Sequence, residues 1–167
     1  MLQMLRHFLA ILSLPFMVIV VIPILILSRT GFLTSVSIAS FIVGFGFIAL
    51  GLALMVHTLS LFVTVGEGTL APWMPTQKLV VRGIYRHVRN PMISGVLCVL
   101  LGEVRLFTSY PLLLWLLFFL LLNMIYIPFF EEPGLEKRFG DDYKLYKENV
   151  PRWLPRLTAW TPPFDQP

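Results

Sequence analysis

Cysteine, histidine and charge are all scarce in this chain, and each shortage removes a class of explanation. There is one cysteine, Cys98, inside an apolar stretch. No internal disulfide can form, so the redox compartment is not legible, and Cys98 reads as a packing residue. The histidines give no metal-ligand spacing. His57 is the one ionisable group in its apolar run, without a carboxylate or other ligand beside it, and reads as a hydrogen-bonded core histidine; no metal site is expected. Charged residues make up 13% of the chain against 57% hydrophobic, with a mean hydropathy of +0.80. A soluble core of this size could not hide so much apolar surface. No internal repeat is visible, and the basic residues fall in two segments beside apolar runs with no recognition module, which argues against nucleic acid as a partner.

What is present is a set of long apolar runs. The 167 residues allow one compact bundle of spanning helices, each needing about 20 apolar residues, and leave no length for a separate soluble domain. A single domain over 1–167 is therefore expected. The first run covers 8–27, where Pro15 and Pro23 would kink a helix without ending it. No small-residue cleavage site precedes Arg29, so the run reads as a retained helix and not as a secretory signal. The second covers 36–65 and carries Gly44, Gly46 and Gly51, residues that allow close helix packing. A polar connector punctuated by glycine and proline follows over 66–91. A third run spans 92–107, with Glu103 and Arg105 expected at the far interface, and the fourth spans 112–130. Four spans fit best.

The distribution of basic residues gives an independent reading of topology. With four spans, Arg6, Lys78, Arg82, Arg86, Arg89, Lys137, Arg138, Lys144, Lys147, Arg152 and Arg156 share one side, leaving only Arg29 and Arg105 of the 13 opposite. The positive-inside rule puts both termini and the connector in the cytoplasm. Beyond the fourth run, Leu135, Phe139, Tyr143, Tyr146 and Val150 recur about one helical turn apart, which predicts an amphipathic helix at the membrane interface. The expected fold is all-α: about four transmembrane helices, a cytoplasmic connector and a C-terminal interfacial helix. The net charge of +4 suits a membrane surface as partner.

Two polar blocks stand out on that cytoplasmic side. One is Leu79-Val80-Val81-Arg82-Gly83-Ile84-Tyr85-Arg86-His87-Val88-Arg89-Asn90-Pro91-Met92. The other is Glu131-Glu132-Pro133-Gly134-Leu135, followed by Phe139-Gly140, Tyr143, Tyr146, Val150-Pro151-Arg152 and Pro155. Paired carboxylates at the end of an apolar run are costly to place in lipid and invite a functional reading. In this order, separated by a helical hairpin, the blocks resemble the signature of the isoprenylcysteine carboxyl methyltransferase and phospholipid methyltransferase superfamily. The resemblance covers 66–155, and Gly66-Glu67-Gly68-Thr69 with Ala71-Pro72-Trp73 is similar to bacterial members.

The resemblance implies a multi-pass enzyme of a bacterial inner membrane that transfers a methyl group from S-adenosylmethionine to a lipophilic acceptor. It implies a cofactor site drawing on Gln77, Lys78, Leu79, Val80, Tyr85, Arg89, Asn90, Pro91, Met92, Ile93, Glu131 and Glu132, with Glu131 favoured over Glu132 and Arg89 as partner of the cofactor carboxylate. These types suit a ligand carrying a sulfonium, an ammonium, a carboxylate and an adenosine. No catalytic base is assigned, because a carboxylate acceptor would need none and an amine would. Two departures bear on the acceptor. Asn90-Pro91-Met92-Ile93 stands where the family commonly has His-Pro-x-Tyr, and Ile127 replaces the arginine that reads a prenylcysteine carboxylate. The first leaves an asparagine that can still hydrogen-bond the cofactor, and the second shifts weight toward a phospholipid amine or an isoprenoid-like molecule. The other readings are a membrane reductase using a nicotinamide cofactor, which should show more spans, and a channel or transporter subunit, which should carry ionisable groups near mid-bilayer.

Overall fold

The computed structural model describes residues 14–31, 37–66 and 77–163, and all its regular elements there are helical. Arg6, the start of the first apolar run and the 67–76 part of the connector lie outside the described residues. Five helices follow one another: α1 (Leu14–Thr30), α2 (Ile38–Thr64), α3 (Pro91–Phe107), α4 (Tyr110–Phe139) and α5 (Asp141–Asn149). The 30-residue α4 and the 27-residue α2 are long and apolar enough to cross a membrane. In their most apolar stretches only 22% and 11%, respectively, is buried inside the protein, so lipid is the environment that such faces require. The described part of α1 is a shorter apolar helix, and α3 has 17 residues.

Two of these helices contain a π turn, and each has a proline at or just beyond it. In α1 the turn Met17–Val21 precedes Pro23; in α4 the turn Ile127–Glu131 contains Pro128 and is followed by Pro133. Proline removes a backbone donor and crowds the preceding turn, and a widened turn accommodates the misfit without ending the helix. In α4 the Glu132 amide accordingly donates to the Ile127 carbonyl, five residues back.

The chain divides into two compact units, one from Met1–Met55 and Ile93–Leu121, the other from Val56–Met92 and Leu122–Pro167. In the first, α2 and α3 run antiparallel along a seam of small residues. A Cβ on Gly51 would lie 2.5 Å from the Gly95 carbonyl oxygen, and one on Gly102 would lie 2.6 Å from that of Gly44. Each helix places its two glycines seven residues apart, which is two turns and therefore one face. Gly46 is off that face and meets nothing within 4 Å. Trp115 Nε1 in α4 donates to the Val18 carbonyl at 3.1 Å, tying α1 to the same unit. Substituting Gly102 with alanine is expected to force the backbones apart, at a cost of about 1–3 kcal/mol. A lowered unfolding temperature in detergent, with no such change in Gly46→Ala, checks this.

The second unit has its core where the tail meets the connector. Val81, Tyr143, Tyr146 and Val150 are buried together, with Leu79, Leu135, Phe139 and Trp160 packed against them. This corrects the expected interfacial helix in two ways. The 135–150 stretch is broken at Gly140, whose φ of +59° ends α4 and starts α5 in a conformation that favours glycine. Its apolar stripe also faces the connector instead of lipid, because Leu79 and Val81 supply a better-fitting apolar partner.

Candidate functional site

The π turn in α4 separates the roles of two adjacent carboxylates. Glu131 is exposed, and among the described residues it forms no hydrogen bond or ion pair. Glu132 is 2% exposed and sits at the centre of a charge cluster. Its Oε1 accepts from Arg89 Nη1 at 2.9 Å and from Arg152 Nε at 2.7 Å; its Oε2 accepts from Arg152 Nη2 at 3.0 Å and lies 3.3 Å from Lys147 Nζ. Lys147 is shared with Glu136 at 2.7 Å. A buried carboxylate is tolerated only with such pairing, and here the bidentate Arg152 fork and Arg89 provide it.

Each member of the cluster is delivered by local structure. Arg89 is fixed because its amide donates to the Pro151 carbonyl at 2.9 Å, and Arg152 follows that proline directly. Lys147 projects from α5. Tyr143 and Tyr146, one turn apart on α5, form the aromatic wall behind the charges, with ring centroids 6.1 Å apart. The Tyr146 hydroxyl donates to the Tyr85 carbonyl at 2.8 Å, and the Tyr85 ring lies 5.5 Å from that of Phe62.

Burial controls the ionisation of these phenols. It pushes Tyr143 up to about 12, with the Glu132 charge adding to the shift and Arg89 opposing it. It also raises Tyr146 and Tyr85, and in Tyr85 the neighbouring Tyr146 and the Glu131 charge act in the same direction. The Glu136 hydrogen bond raises Lys147, and the Glu132 hydrogen bond raises Arg152. The sign of the linkage follows for Tyr143: above its ordinary value of 10.0 the unfolded chain loses a proton that the folded chain retains until about 12. Stability is therefore unaffected by this group below pH 10 and falls from pH 10 to about 12, by on the order of 2 kcal/mol. Unfolding titrations over that range check it, and Tyr143→Phe should flatten the loss.

The other residues singled out in the sequence divide plainly. Val80 and Pro91 are buried, and Leu79 packs on the tail core. Asn90 and Met92 are half-buried at the start of α3, and Ile93 opens the part of α3 that belongs to the first unit. Gln77 and Lys78 are exposed, their amides directed to the Gly66 carbonyl at 2.9 and 3.4 Å. Arg89, expected to be available for a ligand carboxylate, has Nη1 committed to Glu132; its Nε is buried with no hydrogen-bond partner. Sequence reasoning missed Arg152 and Lys147 as the partners of Glu132. The signal was the Pro151-Arg152 pair in the second block, whose destination only the fold reveals.

Part of the stretch holding this geometry, up to Asp142, matches a known family. The family model described as phospholipid methyltransferase covers residues 39–142, more than half of the chain, taking in the first polar block whole and the second from Glu131 to Gly140. The chain belongs to the phospholipid methyltransferase family. No curated protein and no solved structure matches it. Membership suggests methyltransferase activity on lipid-like substrates, and it agrees with the superfamily resemblance, with which it shares residues 66–142.

Proposed function

We propose that this protein transfers a methyl group from S-adenosylmethionine to a lipophilic acceptor at the cytoplasmic face of a membrane, through a bundle of four spans with both termini in the cytoplasm. The observation that carries the reading is the family match over the first polar block and the start of the second, and the geometry around Glu131 supports it. S-adenosylmethionine would supply an electrophilic methyl on a sulfonium. The residues fit such a ligand: Glu131 is a carboxylate unpaired among the described residues and suited to an ammonium or ribose hydroxyls, and Arg89 Nε, in the same unit, is a buried donor with no hydrogen-bond partner there. Glu132 holds Arg89 and Arg152 in place and so acts as a positioning residue. Gln77, Lys78, Leu79, Val80, Tyr85, Asn90, Pro91 and Met92, all of the same unit, complete the proposed cofactor surface.

Methyl transfer is a displacement in line with the breaking bond, so positioning and exclusion of water account for most of what the protein must do. The exposed Phe129 and Phe130, at 70% and 66%, present an apolar surface next to Glu131 in sequence, which suits an acceptor arriving from lipid. Ile127, 1% exposed, puts no cation there for a prenylcysteine carboxylate, which favours a phospholipid amine or an isoprenoid-like acceptor. The test is incubation of the reconstituted protein with methyl-labelled S-adenosylmethionine and a total lipid extract. Label in a discrete organic-extractable product supports the reading; label in none, with folded protein, contradicts it.

A further inference from the structure

The segment after α5 returns along the connector and is laced to it. The Arg156 amide donates to the His87 carbonyl and the Trp160 amide to the Arg86 carbonyl, both at 3.0 Å. Arg86 Nε donates to the Trp160 carbonyl at 2.6 Å, and its Nη2 to Thr161 Oγ1. Beside this lacing, and within the second unit, lies an open groove of about 550 Å³ lined by residues that include His57, Gly83, Arg86, His87, Pro155 and Ala159. Gly83, Ile84, Arg86, His87 and Pro155 belong to the two polar blocks, but none of the residues proposed to hold the methyl donor lines it.

Three features define its chemistry. Both side-chain partners of Arg86 are neutral, and no acidic residue lines the groove. The guanidinium is partly buried and has no counter-ion among the described residues. Such a cation favours an anion brought to it. His87 Nδ1 lies 2.8 Å from the Arg156 carbonyl, which can only accept, so Nδ1 carries the proton and the ring is held in one orientation. His57 corrects the expectation of a hydrogen-bonded core histidine: it is exposed, and its ring has no hydrogen-bond partner among the described residues. Gly83, at φ +55°, leaves room for it, since a Cβ there would come within 3.0 Å of His57 Nε2.

We propose that Arg86, His57 and His87 form a binding site for an organic phosphate, separate from the surface around Glu131. A tetrahedral oxyanion offers several acceptors at once to the Arg86 guanidinium and the ring N–H of His57, and the hydroxyl of a monoprotonated phosphate ester can donate to His87 Nε2. The groove is in the range of small-molecule sites and larger than a phosphate alone, and Gly83, Pro155 and Ala159 line the remainder with no polar side chain. The phosphate can belong to a lipid headgroup or to a soluble ester, and the two are distinguished by experiment.

The experiment uses the full-length protein in maltoside detergent, titrated with glycerol 3-phosphate and, separately, with dioleoyl phosphatidic acid in mixed micelles, with dioleoylglycerol as the control. Saturable binding of either phosphate, but not of dioleoylglycerol, is expected. His57→Ala and Ala159→Glu should weaken it at least tenfold without lowering the unfolding temperature; neither touches the Arg86 hydrogen bonds. Binding of phosphatidic acid alone assigns the lipid source, and binding of glycerol 3-phosphate alone assigns the soluble one; mutual competition assigns the phosphate itself. Binding should persist in Glu131→Gln, so failure of the methyl-transfer reading would leave it intact. Absence of saturable binding to both probes, wild-type binding in both groove variants, or loss in Glu131→Gln would overturn the proposal.

Discussion

Glu132→Ala is expected to cost the fold about 3 kcal/mol or more, the range for breaking a buried ion pair from one side. The reason is the company that the carboxylate keeps. Arg89, 8% exposed, would lose its ion-pair partner while still held between the connector and Pro151. Arg152 and Lys147, at 28% and 39% exposure, can turn partly to water, so their share is smaller. Most of the cost therefore arises at Arg89. The cluster also joins α4, α5, the connector and the segment after α5, so its loss should loosen the tail as a unit. Denaturant unfolding in mild detergent, with protease cleavage of the tail as a second readout, checks both. A loss below about 1 kcal/mol with an intact tail would show that the packed tyrosines hold the unit without the charges.

The adjacent substitution should have the opposite profile. Glu131→Gln is nearly isosteric and removes only charge from a side chain that is exposed and unpaired among the described residues. The unfolding temperature should stay within a degree or so of the wild type, since surface changes away from such features are usually within about 0.5 kcal/mol. Methyl transfer should fall by roughly a hundredfold or more, as expected when a ligand cation or hydroxyl pair loses its charged partner. Transfer rate and unfolding temperature, measured on the same preparation, separate the two roles. Equal loss of both would make Glu131 a structural residue, and full activity would remove it from the site.

The contrast between these neighbours also shows how far the sequence could be read. Apolar runs marked α2, α3 and α4 because their length and composition are local properties of the chain. Which of two consecutive glutamates is buried is not local: it depends on the π turn that Pro128 and Pro133 impose on α4. Gly44 and Gly51 were legible as packing residues, but their partners Gly95 and Gly102 required the antiparallel crossing. The stripe from Leu135 to Val150 was read correctly as apolar and periodic, yet periodicity says nothing about whether lipid or protein covers it. Gly140 carried the signal for the break. The lacing of Arg86, His87 and Arg89 to the chain after α5 spans more than sixty residues, and no spacing rule reaches that far.

The most direct test of the central claim is calorimetric titration of the detergent-purified protein with S-adenosylmethionine and S-adenosylhomocysteine. A methyltransferase using this donor should bind both saturably in the micromolar range, about −8 kcal/mol. No binding of either by folded protein would contradict the account and return the chain to a reductase or transport reading.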